Sequence, residues 1–129
     1  MPELLGIDNV MFAVRELGPA VDFYEACGFV VKFRIESAGM ALFSIGPEEP
    51  GLLIRAQDGR GPGTTGTVGG GRFWVEVADA DAVAGELASK SIATARLDTM
   101  TGITIEATDP SGNVVGFADH SKRPELARA

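Results

Sequence analysis

One order of hydrophobic periods occurs twice in this chain, and that repetition restricts the fold more than any single residue does. In residues 7–14, Val10, Phe12 and Val14 take alternate positions, the period of a half-buried strand, while Asn9, Met11 and Ala13 occupy the other face. After Gly18-Pro19 the period becomes helical: Ala20, Phe23, Tyr24 and Cys27 fall at i, i+3, i+4 and i+7, and Gly28 ends the run. Further strands are expected around Phe29–Ile35, Met40–Ile45 and Leu52–Ala56, with Ala38-Gly39 and Gly46–Gly51 as turns. The same succession then returns. Phe73, Val75 and Val77 alternate, and Ala80, Val83, Ala84 and Leu87 repeat at helical spacing. Strands are expected around Thr94–Leu97, Ile103–Ala107 and Val114–Ala118, the last two joined by the turn Asp109-Pro110-Ser111-Gly112. Asn9 and Arg72, Val14 and Val77, and Gly28 and Ser91 are each 63 positions apart (72 − 9, 77 − 14, 91 − 28). A constant offset through strand and helix indicates an internal duplication. The expected fold is therefore α+β, two βαβββ modules over residues 6–57 and 71–119 within one domain of residues 1–129.

The segment between the modules, residues 58–70, is expected to be a flexible linker, because Asp58–Gly71 reads DGRGPGTTGTVGGG and has no apolar period. It lacks Gly-Lys-Ser/Thr and leads into a strand rather than a helix, which speaks against a phosphate-cradling loop. With 45% hydrophobic and 22% charged residues the chain is too apolar for disorder. The net charge of −7 argues against nucleic acid as a partner, since phosphates demand a basic face. The start, MPELLGIDNV, has no basic region ahead of an apolar run, and no stretch of about 18 apolar residues occurs anywhere. No membrane association is expected, and a cytoplasmic location is. Cys27 is expected to be a buried thiol, being the single cysteine and lying on the apolar side of the helix. His120 and the tail Ser121–Ala129 are expected to lie at a solvated end.

The motif Phe23-Tyr24-x-x-x-Gly28-Phe29, the later Asp109-Pro110-Ser111-Gly112-Asn113 and the doubled βαβββ order resemble the vicinal oxygen chelate superfamily over about residues 6–119. That superfamily includes glyoxalase I, extradiol dioxygenases, fosfomycin-modifying enzymes and bleomycin-binding proteins. The resemblance implies cupped mixed sheets around a cleft, and commonly a homodimer. It also implies metal-ligand positions on the first and last strands of the modules. Here those positions carry Asn9, Arg72 and Gly116, and the remaining one falls at Ile54 or Arg55. None is a usual donor to a divalent ion, so neither a metal nor another cofactor is expected.

Strand alternation gives a separate reading of the cavity. If Phe73, Val75 and Val77 pack beneath the helix, then Arg72, Trp74 and Glu76 project to the concave face. An aromatic plate beside a guanidinium and a carboxylate suits a planar ligand, particularly a cationic one. By the same parity Asn9 and Met11 line the face from the first strand, and Gly116 leaves room for ligand. The registers of Phe33, Phe43 and Phe117 stay open. The leading expectation is a small-molecule binding protein that sequesters a drug-like, aromatic or cationic metabolite, of the kind associated with antibiotic resistance. Turnover stays open. The alternatives are a metal-independent lyase, isomerase or hydrolase using Arg72 as oxyanion stabiliser and Glu76 as proton carrier, a metal-dependent glyoxalase or dioxygenase, or a structural dimer without ligand.

Overall fold

The computed structural model describes residues 1–5, 7–56 and 68–128. Most of the Gly-rich segment between the modules lies outside the described residues. The chain divides into two compact units, Met1–Gly69 and Gly70–Ala129.

The first unit runs β1 (Asn9–Val14), α1 (Leu17–Ala26), β2 (Val30–Ile35), β3 (Met40–Ile45) and β4 (Glu48–Ala56). Its sheet has the order β1-β4-β3-β2; β1 is parallel to β4 and the other pairs are antiparallel. The second unit repeats this with β5 (Arg72–Glu76), α2 (Ala80–Ser89), β6 (Ala95–Asp98), β7 (Ile103–Thr108) and β8 (Val114–Ala118), in the order β5-β8-β7-β6. The parallel pairs share one register, Asn9 opposite Gly51 and Arg72 opposite Val114, so the offset seen in the sequence extends to the hydrogen-bond ladder. This is the expected α+β architecture of two βαβββ modules.

Each helix covers one face of its own sheet. In the first unit Leu17, Ala20, Val21 and Tyr24 of α1 bury against Phe12, Val14, Phe43, Leu52 and Ile54. The buried face differs from the expected one: Leu17 and Val21 are buried, whereas Phe23 and Cys27 are only half-buried. The helix starts two residues before Pro19, whose missing N–H is harmless in a first turn, and this rotates the stripe. Tyr24, Phe29 and Phe43 form a cluster of tilted and edge-to-face rings with centroids 5.5 to 6.3 Å apart.

Both helices end in the same hydrogen-bonded cap. Gly28 N–H donates to Glu25 O and Phe29 N–H to Tyr24 O; Ser91 N–H donates to Ala88 O and Ile92 N–H to Leu87 O. The cap needs a left-handed residue, which is Gly28 in the first unit (φ +97°) and Ser91 in the second (φ +62°).

The second unit has fewer large side chains beneath its helix and instead buries Thr104, Asp109, Ser111, Asn113 and Asp119. Asp109 accepts hydrogen bonds from the backbone of Ser111 and Asn113 and from the Asn113 amide, shaping the Asp-Pro-Ser-Gly-Asn turn. Asn113 Oδ1 in turn accepts from Gly71 N–H at the start of β5.

β4 begins at Glu48, inside the segment expected to be a turn, and the turn shrinks to Gly46-Pro47. Pro50 is tolerated in this central strand because pairing with β1 starts only at Gly51 and the β3 ladder is irregular there. Among the described residues, no helix is long and apolar enough to cross a membrane.

Candidate functional site

In each unit the sheet face away from the helix carries the partly exposed side chains, and it is called the open face. On the second unit, Trp74, Gly116, Glu106 and Ala95 sit opposite one another across β5, β8, β7 and β6. A Cβ at Gly116 would overlap the indole ring of Trp74. Glycine is thus what lets the ring lie down across β8 toward β7. There Trp74 Nε1–H donates to Glu106 Oε2 at 2.8 Å. Arg72, two residues along β5 and on the same face, holds that carboxylate in a fork: Nε donates to Oε2 at 2.7 Å and Nη2 to Oε1 at 2.5 Å. The Glu106 side chain is 11% exposed whereas Trp74 keeps 45% of its surface open. A partly buried carboxylate therefore fixes an exposed indole from below.

Glu76 shares the open face but is engaged elsewhere. Its carboxylate accepts from the Arg128 backbone N–H at 2.8 Å and from the Arg128 guanidinium at 2.6 Å. These bonds, the backbone one first, hold the carboxyl below its ordinary range. His120 Nδ1 lies 4.0 Å from Glu76. One expectation changes here, and the tail is exposed at residues 121–128 as expected. His120 is half-buried rather than at a solvated end, and the tail returns through a short 3-10 turn (Pro124–Leu126) to place Arg128 on Glu76.

On the first unit the open face is apolar. Met11, Leu53, Leu42 and Phe33 form one row across β1, β4, β3 and β2; Ala13, Arg55, Met40 and Ile35 form the next. Asn9 is spent on structure, its Oδ1 accepting Gly51 N–H at 3.2 Å where β1 joins β4. Strand register settles the ambiguity in β4: Ile54 is fully buried opposite Phe12, beneath α1, and Arg55 shares the open face with Asn9 and Met11. Phe43 and Phe117 are buried on the helix side, and Phe33 lies on the open side, 40% exposed.

The positions that the resemblance assigns to metal ligands thus carry Asn9, Arg55, Arg72 and Gly116. Two guanidinium groups and a glycine have no lone pair for a divalent ion, and the Asn9 carbonyl oxygen already accepts a backbone hydrogen bond. These residues do not fit a metal. Elsewhere among the described residues no group of three His, Cys, Asp or Glu side chains is placed to hold one.

The second unit thus brings together Arg72, Trp74 and Gly116, and the residue that joins them, Glu106, was not expected from sequence. Its signal was present: Glu106 is the one charged residue in Ile-Thr-Ile-Glu-Ala-Thr, and its parity opposes the buried Ile105 and Ala107.

No protein-family model and no curated protein sequence matches the chain. Solved structures do. A lactoylglutathione lyase from Agrobacterium tumefaciens superposes with a TM-score of 0.73 at 19% identity, covering 92% of this chain and 96% of that one. TnmS3, an antibiotic binding protein from a Streptomyces species, gives 0.71 at 21% identity, over 92% and 100% of the two chains. A glyoxalase/bleomycin resistance protein from a Streptomyces species gives 0.66 at 24% identity, over 85% and 98%. The chain has the vicinal oxygen chelate fold of the glyoxalase and bleomycin-resistance proteins.

Proposed function

We propose that this protein binds and sequesters an aromatic small molecule, drug-like in size, by stacking it on Trp74 without a metal. The observation that carries the reading is the fixed indole: Glu106 holds its N–H, Gly116 makes space beneath it, and nearly half its surface stays open. A ring already held in place loses little conformational freedom when a planar ligand settles on it, so stacking is not offset by an ordering cost. One of the structures that share the fold is described as an antibiotic binding protein, which supports the reading at the level of ligand class.

Binding is favoured over turnover by the state of the two charged groups that chemistry would need. Arg72 is committed to Glu106, and Glu76 to Arg128. An oxyanion stabiliser and a proton carrier would have to leave those partners first. The same pairing removes the free carboxylate that would draw a cation to the platform.

Trp74 is the single tryptophan of the chain, so its fluorescence reports on this site alone. A screen of planar drugs is expected to give a saturable change in its emission. By calorimetry, Trp74→Ala is expected to weaken binding of the best ligand by roughly 1–3 kcal/mol with the circular dichroism spectrum retained. Equal affinity in the variant rejects the site, and consumption of the ligand by the wild type replaces sequestration with catalysis.

A further inference from the structure

The first unit has a charge that its own structure does not answer. Arg55 lies on the open face of β4, flanked across the sheet by Ala13 and Met40, with Leu53 and Leu42 in the adjoining row. Its Nε and Nη1 are buried and have no hydrogen-bond partner among the described residues. Five other arginines among the described residues are matched: Arg34 with Glu36, Arg72 with Glu106, Arg96 with Asp81, Arg123 with Glu125 and Arg128 with Glu76.

A guanidinium shielded from water is costly unless something accepts its protons, and unlike a lysine it does not escape by becoming neutral. An acceptor from outside that carries negative charge and tolerates apolar surroundings answers both the charge and the two N–H groups. Ala13, Met40, Leu53 and Leu42 are half-buried, and farther along the same face Met11 is 55% and Phe33 40% open to solvent. Apolar surface around one unmatched cation is complementary to an apolar body bearing one anion.

We propose that Arg55 is the anion-binding group of a ligand site on the open face of the first unit, and that the ligand is an amphipathic aromatic anion, a ring system carrying a carboxylate, sulfonate or phenolate. The inference rests on the reading of the chain as a small-molecule binder and adds, on the first unit, a site for a ligand of stated charge. It also differs from the cationic ligand that Trp74 beside Glu76 suggests in the sequence. Surface charge acts weakly at a distance through salt, whereas a guanidinium with two buried nitrogens acts at contact.

A matched pair of probes tests this: 8-anilinonaphthalene-1-sulfonate and N-phenyl-1-naphthylamine, the same ring skeleton with and without the anion, titrated by fluorescence. The wild type is expected to prefer the sulfonate by about tenfold or more, the size of one charge-assisted hydrogen-bonded contact. Arg55→Met is expected to abolish that preference while changing affinity for the neutral probe by no more than about twofold. Trp74→Ala, on the other unit, is expected to leave the Arg55-dependent preference for the sulfonate unchanged. Should Arg55→Met fail to fold, Arg55→Gln serves with the same two outcomes. Equal binding of the two probes by the wild type, or a preference that survives loss of Arg55, overturns the anion site and leaves the Trp74 platform standing. Binding of neither probe overturns both.

Discussion

Glu106 shows how one side chain can matter to a site without adding much to the stability of the fold. Its partner Arg72 is 58% exposed, so their ion pair contributes at most about 1 kcal/mol to folding. The consequence lies in orientation instead, because the same carboxylate fixes the indole N–H of Trp74. Glu106→Ala is therefore expected to leave the thermal midpoint nearly unchanged, lower the fluorescence anisotropy of Trp74 and weaken a stacked ligand by about 1 kcal/mol. A large fall in the midpoint with unchanged affinity would contradict this division of roles. Sequence parity placed Arg72, Trp74 and Glu76 on one face, because a five-residue strand leaves no other alternation. It did not pair Arg72 with Glu106, since that contact crosses from β5 over β8 to β7 and depends on register. Arg55 was obscured because Leu52, Leu53 and Ile54 put apolar residues on both parities, so alternation alone does not say whether Ile54 or Arg55 points away from α1; pairing with β1 does.

At the level of elements, the two units solve one packing problem differently. The first relies on the Tyr24, Phe29 and Phe43 rings, while the second ties its chain together through buried carboxylates and amides. Asp119 is the hub. It follows β8, accepts Ala80 N–H at the start of α2 and Ile103 N–H at the start of β7, and also binds the backbone and hydroxyl of Ser121. Burial alone would raise this carboxyl. The hydrogen bonds from Ile103, Ala80 and Ser121 outweigh burial and hold it well below the usual range. A depressed folded-state pKa means that the stabilisation is complete above the unfolded value of about 3.9 and is lost as pH falls through that value toward the folded one. Asp119→Ala is expected to cost about 2–4 kcal/mol in urea unfolding at pH 7 and to flatten the loss of stability below about pH 4. An unchanged acid profile would place the proton uptake elsewhere. The turn Asp109–Gly112 was legible from its residues, as were both helices, within a few positions. The role of Asp119 was not, since a carboxylate that joins a helix start to a strand start leaves no period in the chain.

For the whole molecule, repetition was the most legible property, because 63 positions separate equivalent residues in strand and helix alike. We propose that two chains pair. In the first sheet β2 is an edge strand whose Val30 is 65% and Ile35 43% exposed, an edge that association would cover. Light scattering at micromolar concentration is expected to give about twice 13.5 kDa, and a folded monomer persisting at that concentration would contradict pairing. Finally, the central rows of the two sheets fill corresponding slots with opposite chemistry, Met11, Leu53, Leu42 and Phe33 in one and Trp74, Gly116, Glu106 and Ala95 in the other. Separate ladders hold them, so a substitution in one row does not shift the register of the other. Substitutions in the two rows can therefore accumulate independently, each sheet face open to selection on its own.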